Sequence, residues 1–119
     1  MVAAAHATAP CPVARAAAAI GDAWSLLIVR DALLGQERFD GFARSLGISR
    51  NALTQRLNAL VEHGILTREP LAAGRRQAYR LTDAGRDLAP VISALMVWGA
   101  AHRFPDGFVP PWERSRAAG

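Results

Sequence analysis

At 119 residues the chain has room for one small domain, which would bury roughly two thirds of its unfolded surface. Hydrophobic residues make up 51% of it, much of that alanine; the fourteen basic residues are all arginine, and a formal net charge of +4 favours a polyanionic partner such as nucleic acid. The single cysteine, Cys11, excludes an internal disulfide framework and a cysteine-based zinc site, and no run reads as a signal peptide or membrane span, so a cytoplasmic chain is expected.

Residues 1–10 read as a disordered N-terminal arm. Pro12 suits the first position of a helix that runs to about Ile20, and Gly21 separates it from a second helix capped by Asp22. In that second helix Trp24, Leu27 and Ile28 share one face while Leu26, Val29 and Leu33 share the other. A helix apolar nearly all round but too short to span a bilayer is expected to be covered on two sides, by its own domain and by a second surface. Residues 35–38 connect onward, and Phe39 is expected to begin a minimal edge strand.

Asp40 is then expected to cap a short helix, Gly41 to Leu46, that Gly47 stops, and Ser49 to cap the next one. There Leu53, Leu57 and Leu60 recur at the helical period and face a core, whereas Asn51, Gln55, Asn58 and Glu62 fall on the opposite side. Gly64 closes this helix, Ile65 to Glu69 alternates like a strand, Ala72-Ala73-Gly74 forms a turn, and Gln77 to Leu81 returns. Two short helices around a tight turn, followed by a basic hairpin, make a winged helix-turn-helix: a mainly α fold with a small β-hairpin wing.

Thr82, with Asp83 in the first turn, is expected to cap a last long helix carrying the apolar stripe Leu88, Val91, Ile92, Leu95, Trp98 and Gly99. Pro90 should kink or split it. Residues 11–104 thus form the domain, and residues 105–119, punctuated by Pro105, Gly107, Pro110 and Pro111, form an irregular tail in which Phe104, Phe108 and Trp112 are available to pack on the body.

Short polar side chains on an exposed helix suit major-groove reading, because side-chain amides bond bidentately to adenine edges. Ser49, Asn51, Thr54, Gln55 and Asn58 are the candidates, with Arg50 and Arg56 beside them for phosphates or for a nearby acid. Arg75 and Arg76 at the wing tip suit a narrow minor groove. His6, His63 and His102 are widely spaced and make no recognisable metal site; no nucleophile motif or phosphate loop is present, so neither catalysis nor a cofactor is expected. Cys11 stands before Pro12, where a helix start raises thiol reactivity, although the residues alone favour a packing role.

Cys11-Pro12-Val13, Ile20-Gly21-Asp22-Ala23-Trp24, Arg38-Phe39, Leu53-Thr54-Gln55-Arg56-Leu57, His63-Gly64-Ile65-Leu66, Tyr79-Arg80-Leu81-Thr82 and Leu95-Met96-Val97-Trp98-Gly99 together resemble the HxlR-type transcriptional regulators, related to the MarR group. The resemblance implies a homodimer paired through its N- and C-terminal helices, which sets two recognition helices over a near-palindromic duplex operator. It also implies a repressor or activator, in some members with a cysteine at the position of Cys11 that senses electrophiles or oxidants. Trp24, Leu95, Met96 and Trp98 are the expected dimer residues, or with a small-molecule inducer the lining of its pocket. The chain departs from many relatives at Arg50 and Asn51 and in the Ala72-Ala73-Gly74 wing turn. Winged helices also bind proteins in place of DNA, which keeps an interaction module as the alternative.

Overall fold

The computed structural model describes residues 2–71 and 76–110, which divide between two compact units, residues 1–89 and 90–119. In the first unit, helix α1 (Val2–Ala7) occupies part of the arm for which no element was expected. Alanine loses no side-chain entropy on entering a helix, so an alanine run adopts one wherever its ends find partners. The Arg15 guanidinium supplies one, donating to the carbonyls of Ala9 at 2.5 Å and Thr8 at 3.3 Å. Arg15 lies on α2 (Pro12–Ile20), which begins and ends where the sequence indicates and turns the buried Ile20 inward.

Helix α3 (Ala23–Leu33) is capped by Asp22, whose carboxylate accepts from the Ser25 backbone N–H at 2.8 Å and from its hydroxyl at 2.6 Å. Ile28 and Val29 are fully covered, and Trp24, Leu26, Leu27 and Leu33 are half-buried. Asp31 is buried as well, its Oδ1 accepting two bonds, at 2.9 and 3.0 Å, from the Arg30 guanidinium beside it.

Helix α4 (Phe39–Leu46) corrects two expectations about its start. Phe39 is the first helical residue and not an edge strand; the extended residue is Arg38, which forms an isolated antiparallel bridge with Ala78. Asp40 accordingly lies inside the first turn and is not the cap, in a place where its charge still suits the helix's positive end. Gly47 ends α4 with φ of +63°, a left-handed conformation that disfavours any residue with a Cβ, and its N–H bonds the Ala43 carbonyl at 3.0 Å. Phe42 on the inner face is fully buried.

Helix α5 (Arg50–Glu62) follows after Ile48, with Ser49 Oγ accepting the Ala52 N–H at 3.2 Å. Leu53, Leu57 and Leu60 are fully buried, as their spacing requires. Strand β1 (Leu66–Pro70) starts one residue later than expected, because the Ile65 N–H is taken by the Leu60 carbonyl at the end of α5, at 2.9 Å. It pairs antiparallel with β2 (Gln77–Leu81), Leu66 opposite Leu81 and Arg68 opposite Tyr79. The expected turn at Ala72-Ala73-Gly74 lies outside the described residues.

The final helix is two helices, α6 (Asp83–Arg86) and α7 (Ala89–His102), separated at Asp87 and Leu88. Thr82 caps α6 by accepting the Gly85 N–H at 3.0 Å, while its hydroxyl donates to the Gly64 carbonyl. Gly85 has no room for a side chain: a Cβ there would sit 2.2 Å from the Ile65 carbonyl oxygen. Pro90 falls in the first turn of α7, where a missing N–H leaves no helical bond unmade, so the break comes before it.

In the second unit α7 buries none of its residues, and Val91, Leu95, Met96, Val97 and Trp98 are all exposed. Phe104 and Phe108 pack on each other, ring centroids 5.0 Å apart. No single helix among the described residues is long and apolar enough to cross a membrane. With α3, α4 and α5 followed by the β1–β2 hairpin, the fold is a winged helix-turn-helix.

Candidate nucleic-acid interface

The outer face of α5 is set by its inner one: with Leu53, Leu57 and Leu60 locked into the core, Asn51, Thr54, Gln55 and Asn58 stand exposed, next to the exposed cap Ser49. Among the described residues the side chains of Asn51 and Gln55 have no hydrogen-bond partner, so their amides are free to read base edges. The Thr54 hydroxyl donates to the Arg50 carbonyl at 2.9 Å, which leaves its methyl group and lone pairs facing outward. Asn58 is engaged differently, its Oδ1 accepting from the Arg68 guanidinium on β1, and it ties the helix to the wing.

The arginines flanking this face are partly held by acids. Arg50 meets Asp40 at 2.9 Å and lies over the Phe39 ring, 4.6 Å from its centroid. That hydrogen bond first, and the charge of Arg50 second, hold the Asp40 carboxyl below its ordinary value, and Arg44 and Arg76 act in the same direction. Arg56 is half-buried and 3.7 Å from Asp22, the cap of α3, so it links α5 to the start of α3. Arg76 is exposed toward the tip of the wing, just before β2, where its carbonyl accepts the Leu71 N–H at 3.1 Å. Arg75 lies outside the described residues.

The wing is fastened to the connector before α4. The Tyr79 N–H bonds the Glu37 carbonyl at 2.8 Å, and Arg80 meets Glu37 at 3.2 Å and Glu69 at 2.6 Å. The hydrogen bond to Glu37, then the charges of Glu37 and Glu69, raise the pKa of Arg80. Between this fastening and the start of α5 lies an open groove of about 520 Å³, with Arg38, Asp40, Arg44, Arg50, Arg76 and Tyr79 among its walls. Arg38 and Tyr79 entered the sequence reading only as parts of the resemblance motifs and Arg44 not at all; none was expected at the interface. They come from α4, its leader and β2, and no local pattern links them.

Elsewhere, Cys11 is exposed at the cap position of α2 and makes no capping hydrogen bond. Trp24 is half-buried on α3; Leu95, Met96 and Trp98 are exposed on α7, the Trp98 ring 5.2 Å from that of His102.

Comparison with known proteins agrees with this geometry. The chain is 49% identical over 88 residues to a helix-turn-helix type transcriptional regulator of Mycobacterium tuberculosis, a match that covers 73% of this chain and 56% of that protein. The chain therefore spans little more than half the length of that relative. Among solved structures, it is similar to the candidate transcription factor PA1607, at 48% identity and a TM-score of 0.84, covering 89% of this chain and 75% of that one. It is also similar to the redox regulator HypR in its reduced form, at 30% identity and a TM-score of 0.73, covering 78% and 94%. With a family model for HxlR-like helix-turn-helix proteins matching residues 19–106, the chain belongs to the HxlR-like helix-turn-helix family.

Proposed function

We propose that the protein is a sequence-specific DNA-binding transcriptional regulator, a local repressor or activator that works as a homodimer. The observation that carries this reading is the outer face of α5, where Asn51 and Gln55 present unpartnered amides beside a wing and a groove rich in arginine. An amide in the major groove bonds both N6 and N7 of adenine, while arginine at the edges neutralises phosphates and sets the register. Ser49 and Thr54 join the reading face; Arg50, Arg56, Arg75 and Arg76 serve the backbone, and Asn58 steadies the wing. Selection of bound sequences from random duplexes tests this, with affinity followed against salt. Enrichment of a common half-site supports the reading, and a pool that stays random favours a protein-interaction module.

The homodimer is supported by the apolar surface that α7 exposes at Leu95, Met96 and Trp98, and by Trp24, half-covered on α3. Sedimentation without DNA at micromolar concentration is expected to give a dimer, and a monomer alone would contradict it. Half-site centres in the operator should then repeat about one helical turn, ~10 bp, apart or a multiple of that. A small-molecule inducer would bind at the apolar surface of α7.

Cys11 is the residue through which we expect the regulator to answer electrophiles or oxidants. It is exposed at a helix start, and a solved structure similar to this chain is that of a protein named as a redox regulator. With one cysteine per chain the product is an adduct, a mixed disulfide with a small thiol, or a bridge between subunits; a bridge needs the two Cα atoms within about 7 Å. Treatment with a quinone, or with diamide plus glutathione, should change the DNA affinity of wild type and leave Cys11→Ser unaffected. Wild type that keeps its affinity after confirmed modification has no sensor at Cys11.

A further inference from the structure

The groove beside α5 holds more positive charge than the fold itself uses. Four arginines, Arg38, Arg44, Arg50 and Arg76, line it together with one acid, Asp40. Asp40 is bonded to Arg50, which leans on Phe39. Among the described residues, no carboxylate lies within ion-pairing distance of Arg38, Arg44 or Arg76. All three are exposed, so water screens their mutual repulsion without removing it, and an anion between them would lower it further. The planar fork of arginine matches the two free oxygens of a phosphodiester, and several forks can share one phosphate. Tyr79, half-buried in the wall, adds a phenolic donor.

The occupant follows from position. Arg50 is both a wall of the groove and the first residue of α5. A duplex that takes α5 into its major groove brings the strand bordering that groove past the N-terminal end of the helix, and so across this opening. We infer that the groove seats a DNA backbone phosphate, held by Arg38, Arg44 and Arg76, while Asp40 keeps Arg50 turned toward Phe39 and out of the seat. The inference rests on the DNA-binding reading above and assigns Arg38 and Arg44 a role that the recognition helix alone does not reveal.

The test measures the affinity of the full chain for a mixed-sequence duplex over a range of salt concentrations. Loss of one phosphate contact flattens the slope of log affinity against log salt by roughly 0.9. The double variant Arg38→Gln/Arg44→Gln should show that flattening and bind several-fold more weakly. The matching double lysine variant keeps the charge and should keep the slope, which separates the seat from any effect on folding. Arg103→Gln, at an exposed arginine just beyond α7, should change nothing. Asp40→Asn should tighten binding, since it removes the one negative charge at the seat.

Wild-type slope in the double glutamine variant, or weaker binding by Asp40→Asn, would overturn the seat while leaving DNA binding intact. Wild type that shows no salt-dependent binding would overturn the seat and the DNA reading together. Calorimetry with inorganic phosphate alone supplies the last arm. Saturable phosphate binding that is lost in the double glutamine variant, with its DNA slope unchanged, would reassign the groove to a free anion.

Discussion

Phe42→Ala is expected to cost about 3 to 5 kcal/mol of folding stability, the range for a large aromatic side chain removed from a closed core. Phe42 is fully buried on the inner face of α4, whose neighbours are α3, α5 and β2, so none of the surrounding elements can move in alone to fill the space. A domain of this size has only about 5 to 15 kcal/mol in total, so the loss is a large fraction of it. Urea denaturation should show the midpoint fall with little change in slope. A loss under about 1 kcal/mol would mean that α4 is anchored by something other than this ring.

Gln55→Ala should act on recognition and leave stability almost untouched, because the Gln55 side chain is exposed and has no hydrogen-bond partner among the described residues. Loss of a bidentate base contact costs roughly 1 to 3 kcal/mol at one base position and relaxes preference there, while other positions keep theirs. Binding of wild type and variant to a library of duplexes separates this outcome from the uniform weakening that follows loss of a phosphate contact. Identical preferences for the two proteins would take Gln55 off the reading face.

What the sequence revealed of this fold was what neighbouring residues decide among themselves. Gly47 and Ser49 fix a turn through their own backbone and hydroxyl, and Leu53, Leu57 and Leu60 declare their inner face through the period of one helix. Both are found as expected. Expectations shifted where a distant partner intervened. Arg38 is drawn into an extended bridge by Ala78, forty positions along, and that contact moves the start of α4 ahead of Asp40. Ile65 is withheld from β1 by a bond back to Leu60. The arginine groove was hidden for the same reason: its walls are scattered from Arg38 to Tyr79, and only the fastening of the wing to the leader of α4 gathers them.

The absence of lysine gives the groove one more property. Every cation in its walls is a guanidinium, which keeps its proton throughout the physiological range and offers no amine to acetylate. Asp40, its carboxyl held below the ordinary value, stays ionised over that same range. The positive charge of these walls is then a constant of the molecule, indifferent to cellular acidity and to the modifications that silence lysine-rich surfaces. A signal that loosens a phosphate held there would have to move the arginines, compete for them or bring a counter-charge, since a change of pH leaves them charged.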